Sequence, residues 1–230
     1  MKLDLHVHTN FSFDSILKVE SIPKVLSKRG IDGLAVTDHD SVKAWAKVRN
    51  VCKGFFVIQG MEIMTDKGEI LGLFLSEDLK CKKAGVNSHG LRIFKHGDVF
   101  DEIKSQGALA VIPHPTDNLR QPFSAIEENA KKITALETLN GRVMSSKRNR
   151  EAEQLAQKFR LGMTGGSDAH SFWELGRAFT QADASNPEEF RKCLMKHKTV
   201  PGGSAGNTIY KISSKVLIKL KRWFYVNRYF

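Results

Sequence analysis

Short apolar runs of β character alternate with helix-patterned segments along most of this chain. LDLHVH (3–8), GLAVTDH (33–39), FFVIQGMEI (55–63), EILGLFL (69–75), ALAVIPHP (108–115), ITALETLN (133–140) and LGMTGGSDAH (161–170) read as strands, with RAFTQAD (177–183) as one more. Between them, 18–30, 41–52, 99–107, 123–132, 145–160 and 186–197 carry helical patterning, with Gly30 as a stop and Ser41 as an N-cap. The turn-like TDKG joins the third and fourth strands as a hairpin. Residues 80–97 show no period and read as a loop. Repeated strand–helix alternation calls for a parallel α/β architecture, and about seven such units favour a barrel over an open sheet.

The polar residues are placed to match. His6 and His8 end the first strand, Asp38 and His39 the second and Glu62 the third. His114 ends the AVIPHP strand, Glu137 lies in ALETLN, and Asp168 and His170 end GMTGGSDAH. In a parallel barrel the C-terminal ends of the strands meet on one face, where active sites are built. Residues i and i+2 of a strand point the same way, so His6 and His8 present two imidazoles to one side while Val7 packs on the other. Asp14, on the following loop, reaches over the same face. Taken singly, each motif has an ordinary reading: HxH as a hydrogen-bonded pair, TDHD as a helix cap, HP as a turn. Together, in one βα context, they read as a metal site.

In this order the motifs DLHVHT, FDS, TDHD, GMEI, PHP (113–115) and GGSDAH resemble the PHP (polymerase and histidinol phosphatase) superfamily of metal-dependent phosphoesterases, over about residues 1–200. LETLNGR and LGRAFT are similar to the same family. The resemblance implies a distorted (β/α)7 TIM-like barrel with a cluster of two to three divalent ions at the C-terminal ends of the strands. It implies that His6 and His8 bind a first ion with Glu62 and Asp168. Glu62 would bridge to a second ion shared with His114, and Asp14, His39 and His170 would hold a third. Relatives of this pattern carry a further histidine where this chain has Glu69. That residue is expected to ligate as a carboxylate; the alternatives are a weaker second site holding a harder ion, or ligation by His89 or His96. Asp38 and Glu137 are expected to orient a ligand histidine or a water.

Mixed imidazole and carboxylate ligands suit zinc, manganese or iron better than calcium. Water shared between two such ions loses a proton near neutral pH and becomes the nucleophile. Such a hydroxide needs no Ser, Cys or Asp nucleophile from the chain. A phosphate also calls for an arginine fork. Arg142, on a loop shaped by Asn140 and Gly141, and Arg177 are placed for this; the alternative is a surface or strand-pairing role. Arg120 is a third candidate.

Charge separates the chain in two. Residues 190–230 carry 10 of the 36 Lys and Arg and none of the 25 Asp and Glu. Residues 1–200 are expected to form the catalytic barrel and 201–230 a basic, aromatic-rich tail. VPGGSAGN (200–207) is the best linker candidate, and Ile209, Ile212, Val216, Leu220 and Phe224 have helical spacing. The tail reads as a docked helix, with contact to nucleic acid or to an anionic membrane surface as alternatives. The three cysteines, Cys52, Cys81 and Cys193, form no CxxC, which argues against a disulfide framework or a thiolate zinc site. No run approaches about 18 apolar residues and the N-terminus lacks a signal-like apolar stretch, so the expected compartment is the cytoplasm.

The expected activity is hydrolysis of small phosphomonoesters, such as a nucleotide or sugar phosphate. The alternatives are an exonuclease or oligonucleotide phosphodiesterase, a histidinol-phosphatase-like activity, or a catalytically silent binding module.

Overall fold

The computed structural model describes residues 1–88, 90–205 and 216. His89 and the helix expected over 208–230, apart from Val216, lie outside the described residues. The strands are β1 (Lys2–Val7), β2 (Gly33–Val36), β3 (Phe56–Thr65), β4 (Gly68–Leu73), β5 (Lys83–Val86), β6 (Arg92–Phe94), β7 (Leu109–Ile112), β8 (Ala135–Asn140), β9 (Gly162–Gly166), β10 (Ala178–Gln181) and β11 (Val200–Gly203). The helices are α1 (Ile22–Arg29), α2 (Ala44–Val51), α3 (His96–Ser105), α4 (Ile126–Asn129), α5 (Ser146–Phe159) and α6 (Pro187–Met195).

The sheet runs in the order β11-β10-β1-β2-β3-β4-β7-β8-β9. β1, β2 and β3 pair in parallel, as do β7, β8 and β9. Between these sets stands β4, antiparallel to both neighbours. It arrives through a tight turn at Asp66 and Lys67, with Thr65 paired to Gly68, so no helix crossover is needed. Gly68 has φ +117, and a Cβ there would stand 2.7 Å from the Phe123 backbone. That position therefore demands glycine.

The ends of the sheet curl towards each other. Val7 and Ala169 form a parallel bridge, and the His8 amide donates to Ala169 O at 2.9 Å. Thr180 Oγ1 of β10 accepts from Gly165 N and donates to Gly165 O, each at 2.8 Å, which ties β10 to β9. The result is a nearly closed, TIM-like barrel. Leu5, Ile58, Leu71 and Val111 come from different parts of the ring and pack in one cluster with Phe190 of α6. Phe190 is fully buried there. Other apolar clusters bury α1 and α2 against one flank and α3 and α5 against the other.

Four local expectations change. The loop over 80–97 contains the β5–β6 hairpin and the start of α3; β6 reaches the sheet by pairing Phe94 with Thr65. The mostly exposed β5 has no apolar alternation, so its pairing leaves no mark on the sequence. The helix over 123–132 shrinks to α4, where only Ile126 is buried and little packing supports further turns. Ser41 does not cap α2: its hydroxyl accepts from Lys43 N within a local turn, and α2 begins at Ala44. VPGG is not linker but β11, paired with β10. Pro201 is tolerated there because β11 is an edge strand, where a missing N–H costs no ladder bond. Among the described residues no helix is long and apolar enough to cross a membrane.

Thr180→Val keeps the shape of this buried side chain but strips Gly165 N and O of their partner. It should lower stability by about 2 kcal/mol. A urea midpoint equal to that of the unsubstituted protein would contradict the role given to Thr180 in closing the barrel.

Candidate metal centre

β1 delivers His6 and, one residue past its end, His8; their rings lie 5.1 Å apart. His39 follows β2 and bridges to Glu62 of β3. Glu69 lies at the start of β4, opposite Met64. Because β4 runs against its neighbours, its start shares the rim where the other strands end. His114 and Asp168 follow β7 and β9 in left-handed backbone conformation, with φ 33 and 53. Such backbone costs about 1 kcal/mol or more for a non-glycine residue and persists only where its surroundings impose it. Here the His114 amide donates to Glu137 Oε2 at 3.0 Å, while Asn140 and Arg120 hold Asp168 Oδ2.

The side chains from these ends converge. Glu62 is central: Oε1 stands 3.3 Å from His6 Nε2 and 3.4 Å from His114 Nε2. Its Oε2 stands 3.1 Å from His8 Nε2 and 3.5 Å from His39 Nε2. Asp168 Oδ1 lies 3.8 and 3.7 Å from His6 and His8. Asp14 Oδ2 lies 3.0 Å from His170 Nε2 and 3.3 Å from His39 Nε2. Glu69 Oε2 is 3.4 Å from His114 Nε2.

The electrostatics are those of a site built for cations. Burial disfavours the charge of Glu62, but His6 and His39 outweigh it and hold its carboxyl well below the usual range. Burial is likewise overcome at Asp168 by Arg120 and His6, and at Asp14 by His170. His39, also buried, is lifted to about 10 by Glu62 and Asp14. Glu69 is pushed up by burial and then by Glu62, while His170 is pushed down by burial and Arg142.

The donor set fits divalent ions. Two ligand atoms, each about 2.1 Å from one tetrahedral ion, stand about 3.4 Å apart. The imidazole–carboxylate separations above span that value. His6 Nε2 and His8 Nε2 face each other at 3.1 Å inside a fully buried pocket. The Nε2 atoms of His8, His39 and His114 are the ones directed into the cluster, at 3.1, 3.5 and 3.4 Å from Glu62 oxygens.

All nine expected ligands therefore meet on one rim. Glu137 Oε1 accepts from His6 Nδ1–H at 3.1 Å, which fixes the ring with Nε2 towards the cluster. Asp38 does not bond a ligand histidine; its two oxygens take the Thr9 amide and hydroxyl, at 2.6 and 2.7 Å, and fix the turn after His8. Arg142 lines the cavity over the cluster and stands 3.3 Å from Glu174 Oε1. Arg120 lines it too. Arg177 does not; its Nε donates to Trp173 O at 2.7 Å and braces the 173–177 turn. His96 pairs with Asp66 at 3.0 Å, outside the cavity lining.

Two supporting residues escaped the sequence reading. Asp4, fully buried, accepts from Ser167 N at 2.8 Å and Gly176 N at 2.7 Å, locking β1 to the segment that carries Asp168. The D-x-H-x-H alternation places it in phase with the two histidines and was the available signal. Glu174 accepts from His170 N at 3.0 Å and Ser171 Oγ at 2.8 Å. Its role follows from a local turn that has no sequence signature.

A Cβ at Gly166 would stand 2.5 Å from both His6 Cβ and Glu137 Oε1. Gly166→Ala removes no ligand, yet should weaken ion retention by about 10- to 100-fold by displacing that pair. Chelator competition against the unsubstituted protein measures it; equal retention would contradict the tight fit.

Comparison with known proteins agrees with this geometry. Residues 4–112 match the PHP domain model and residues 147–199 the PHP-associated model. The chain is 33% identical over 213 residues to the uncharacterized protein MJ0417 of Methanocaldococcus jannaschii, covering 86% of this chain and 81% of that one. A two-domain protein of Bacteroides vulgatus, containing a predicted PHP-like metal-dependent phosphoesterase, has the same fold. Its TM-score is 0.65 at 22% identity, covering 88% of this chain and 64% of that one, so the chain spans less than two thirds of that protein. The lesion-specific endonuclease PfuEndoQ of Pyrococcus furiosus superposes with a TM-score of 0.56 at 17% identity, over 85% of this chain and 56% of that one. Matched along both its halves by the family's models, the chain belongs to the PHP superfamily of metal-dependent hydrolases.

Proposed function

We propose that the chain hydrolyses small phosphomonoesters, such as a nucleotide or sugar phosphate, at a centre of two to three zinc, manganese or iron ions held by His6, His8, Asp14, His39, Glu62, Glu69, His114, Asp168 and His170. The observation that carries this reading is the cavity of about 350 Å³ over the cluster, into which Arg120 and Arg142 both reach. That volume suits a small ligand. Two guanidiniums beside a cation cluster suit a dianionic phosphate.

Bound divalent ions supply Lewis acidity and ionise water near neutral pH. The chain's own residues supply position. Glu137 holds His6 and the His114 amide in place, and Asn140 donates to both Glu137 and Asp168, at 2.8 and 3.2 Å. Arg142 is set by Glu174, so its charge faces the cavity already oriented, and neutralises phosphate oxygens as charge moves to the leaving group. Phe13, Met64 and Leu91 form the apolar part of the wall and limit water around the ester.

A nuclease is the second reading. It draws on a separate groove of about 490 Å³ lined by Lys24, Lys28, Arg29, Phe172 and Trp173, with the Phe172 and Trp173 rings 4.2 Å apart. An exposed Phe172 beside a half-buried Trp173, with lysines around them, suits a single strand.

Chelation should abolish activity on a phosphoester panel, and manganese or zinc should restore it. His8→Ala and Asp168→Ala should each lose bound metal and at least about 100-fold in activity. Full activity in either variant would refute the assignment, and metal retention with no hydrolysis of any panel member would favour a binding module. Arg142→Ala should cut kcat/KM by about 10-fold or more, and Arg142→Lys should not restore it, since lysine lacks the fork. Activity confined to oligonucleotides and falling steeply with salt would replace the phosphomonoester reading by the nuclease one.

A further inference from the structure

Four groups of three ligand-type side chains converge in the centre, among the described residues: His6, His8 and Asp168; His8, Asp14 and His170; His8, His39 and Glu62; and Glu62, Glu69 and His114. In the first three, two imidazoles accompany one carboxylate. In the fourth the ratio is reversed, because β4 contributes a glutamate. His114 Nε2 stands 3.4 Å from both Glu62 Oε1 and Glu69 Oε2, so the three donors face one point. The Glu69 side chain is 13% exposed and lines the cavity, as does Glu62, so this corner is open to solvent water.

We propose that the centre is chemically mixed: the Glu62–Glu69–His114 position takes a hard, exchangeable ion of the manganese(II) or magnesium type, while the imidazole-rich positions take zinc or iron(II). The inference rests on the metal-centre reading and specifies it. Carboxylate oxygens suit hard ions and imidazoles suit zinc and iron. A hard ion also keeps several waters, which the cavity beside Glu62 and Glu69 can accommodate. Glu62 then serves both kinds of position, with Oε1 shared between His6 at 3.3 Å and His114 at 3.4 Å. Zinc outranks manganese at any nitrogen and oxygen site, so the signature is a difference in how easily manganese is displaced.

The full chain is loaded with manganese(II), and zinc is titrated in while released manganese is followed by electron paramagnetic resonance and retained metal by elemental analysis. Release should come in two phases, the last manganese needing at least about tenfold more zinc than the first. Glu69→His should merge the phases, and Glu69→Gln should lose the late phase while keeping the early one. Single-phase release, or two phases unchanged in Glu69→His, would overturn the mixed centre but leave the metal centre standing. A chain that retains neither ion would overturn both.

Discussion

The carboxylate of Glu62, buried among the imidazoles of His6, His8, His39 and His114, is the interaction around which the structure is organised. Its two oxygens each lie between two ring nitrogens at 3.1–3.5 Å. A buried anion of this kind is tolerated only against positive charge or metal. Those rings arrive from β1, β2 and β7, so the charge balance at one side chain requires the barrel to be curled. Closure and chemistry are in this sense one constraint.

The reversed strand is what makes the arrangement possible at this chain length. A hairpin places β4 in the ring with a two-residue turn in place of a helical crossover. Its reversed direction brings a residue from its start, Glu69, to a rim otherwise supplied by strand ends. The unusual ligand and the unusual strand are therefore linked: the corner of the cluster that is richest in oxygen is the one served by the antiparallel strand.

Around the ligands, buried polar contacts hold the scaffold together. Asp4, Glu137, Asn140 and Glu174 each satisfy two or more donors or partners and hold ligand-bearing segments together. The left-handed backbone at His114 and Asp168 is the local cost of aiming those side chains inward. Arg120, joined to Asp168 on the oxygen away from His6 and His8, leaves the other oxygen facing the cluster.

By itself the sequence determined the order of the main strands and helices, though not β5, β6 or β11, the face on which His6, His8, Glu62, His114, Asp168 and His170 sit, and the hairpin that carries Glu69. These are local properties: a period of two in a strand, a tight turn, a polar residue after an apolar run. The tertiary structure alone decided which carboxylate faces which ring and placed Arg142 over the cavity but Arg177 away from it. It also spent Asp38 on Thr9, and turned VPGG into an edge strand. None of these outcomes has a local signature. They depend on how far the barrel curls and which donors reach a given oxygen first, and those distances exist only once residues more than a hundred positions apart are brought together.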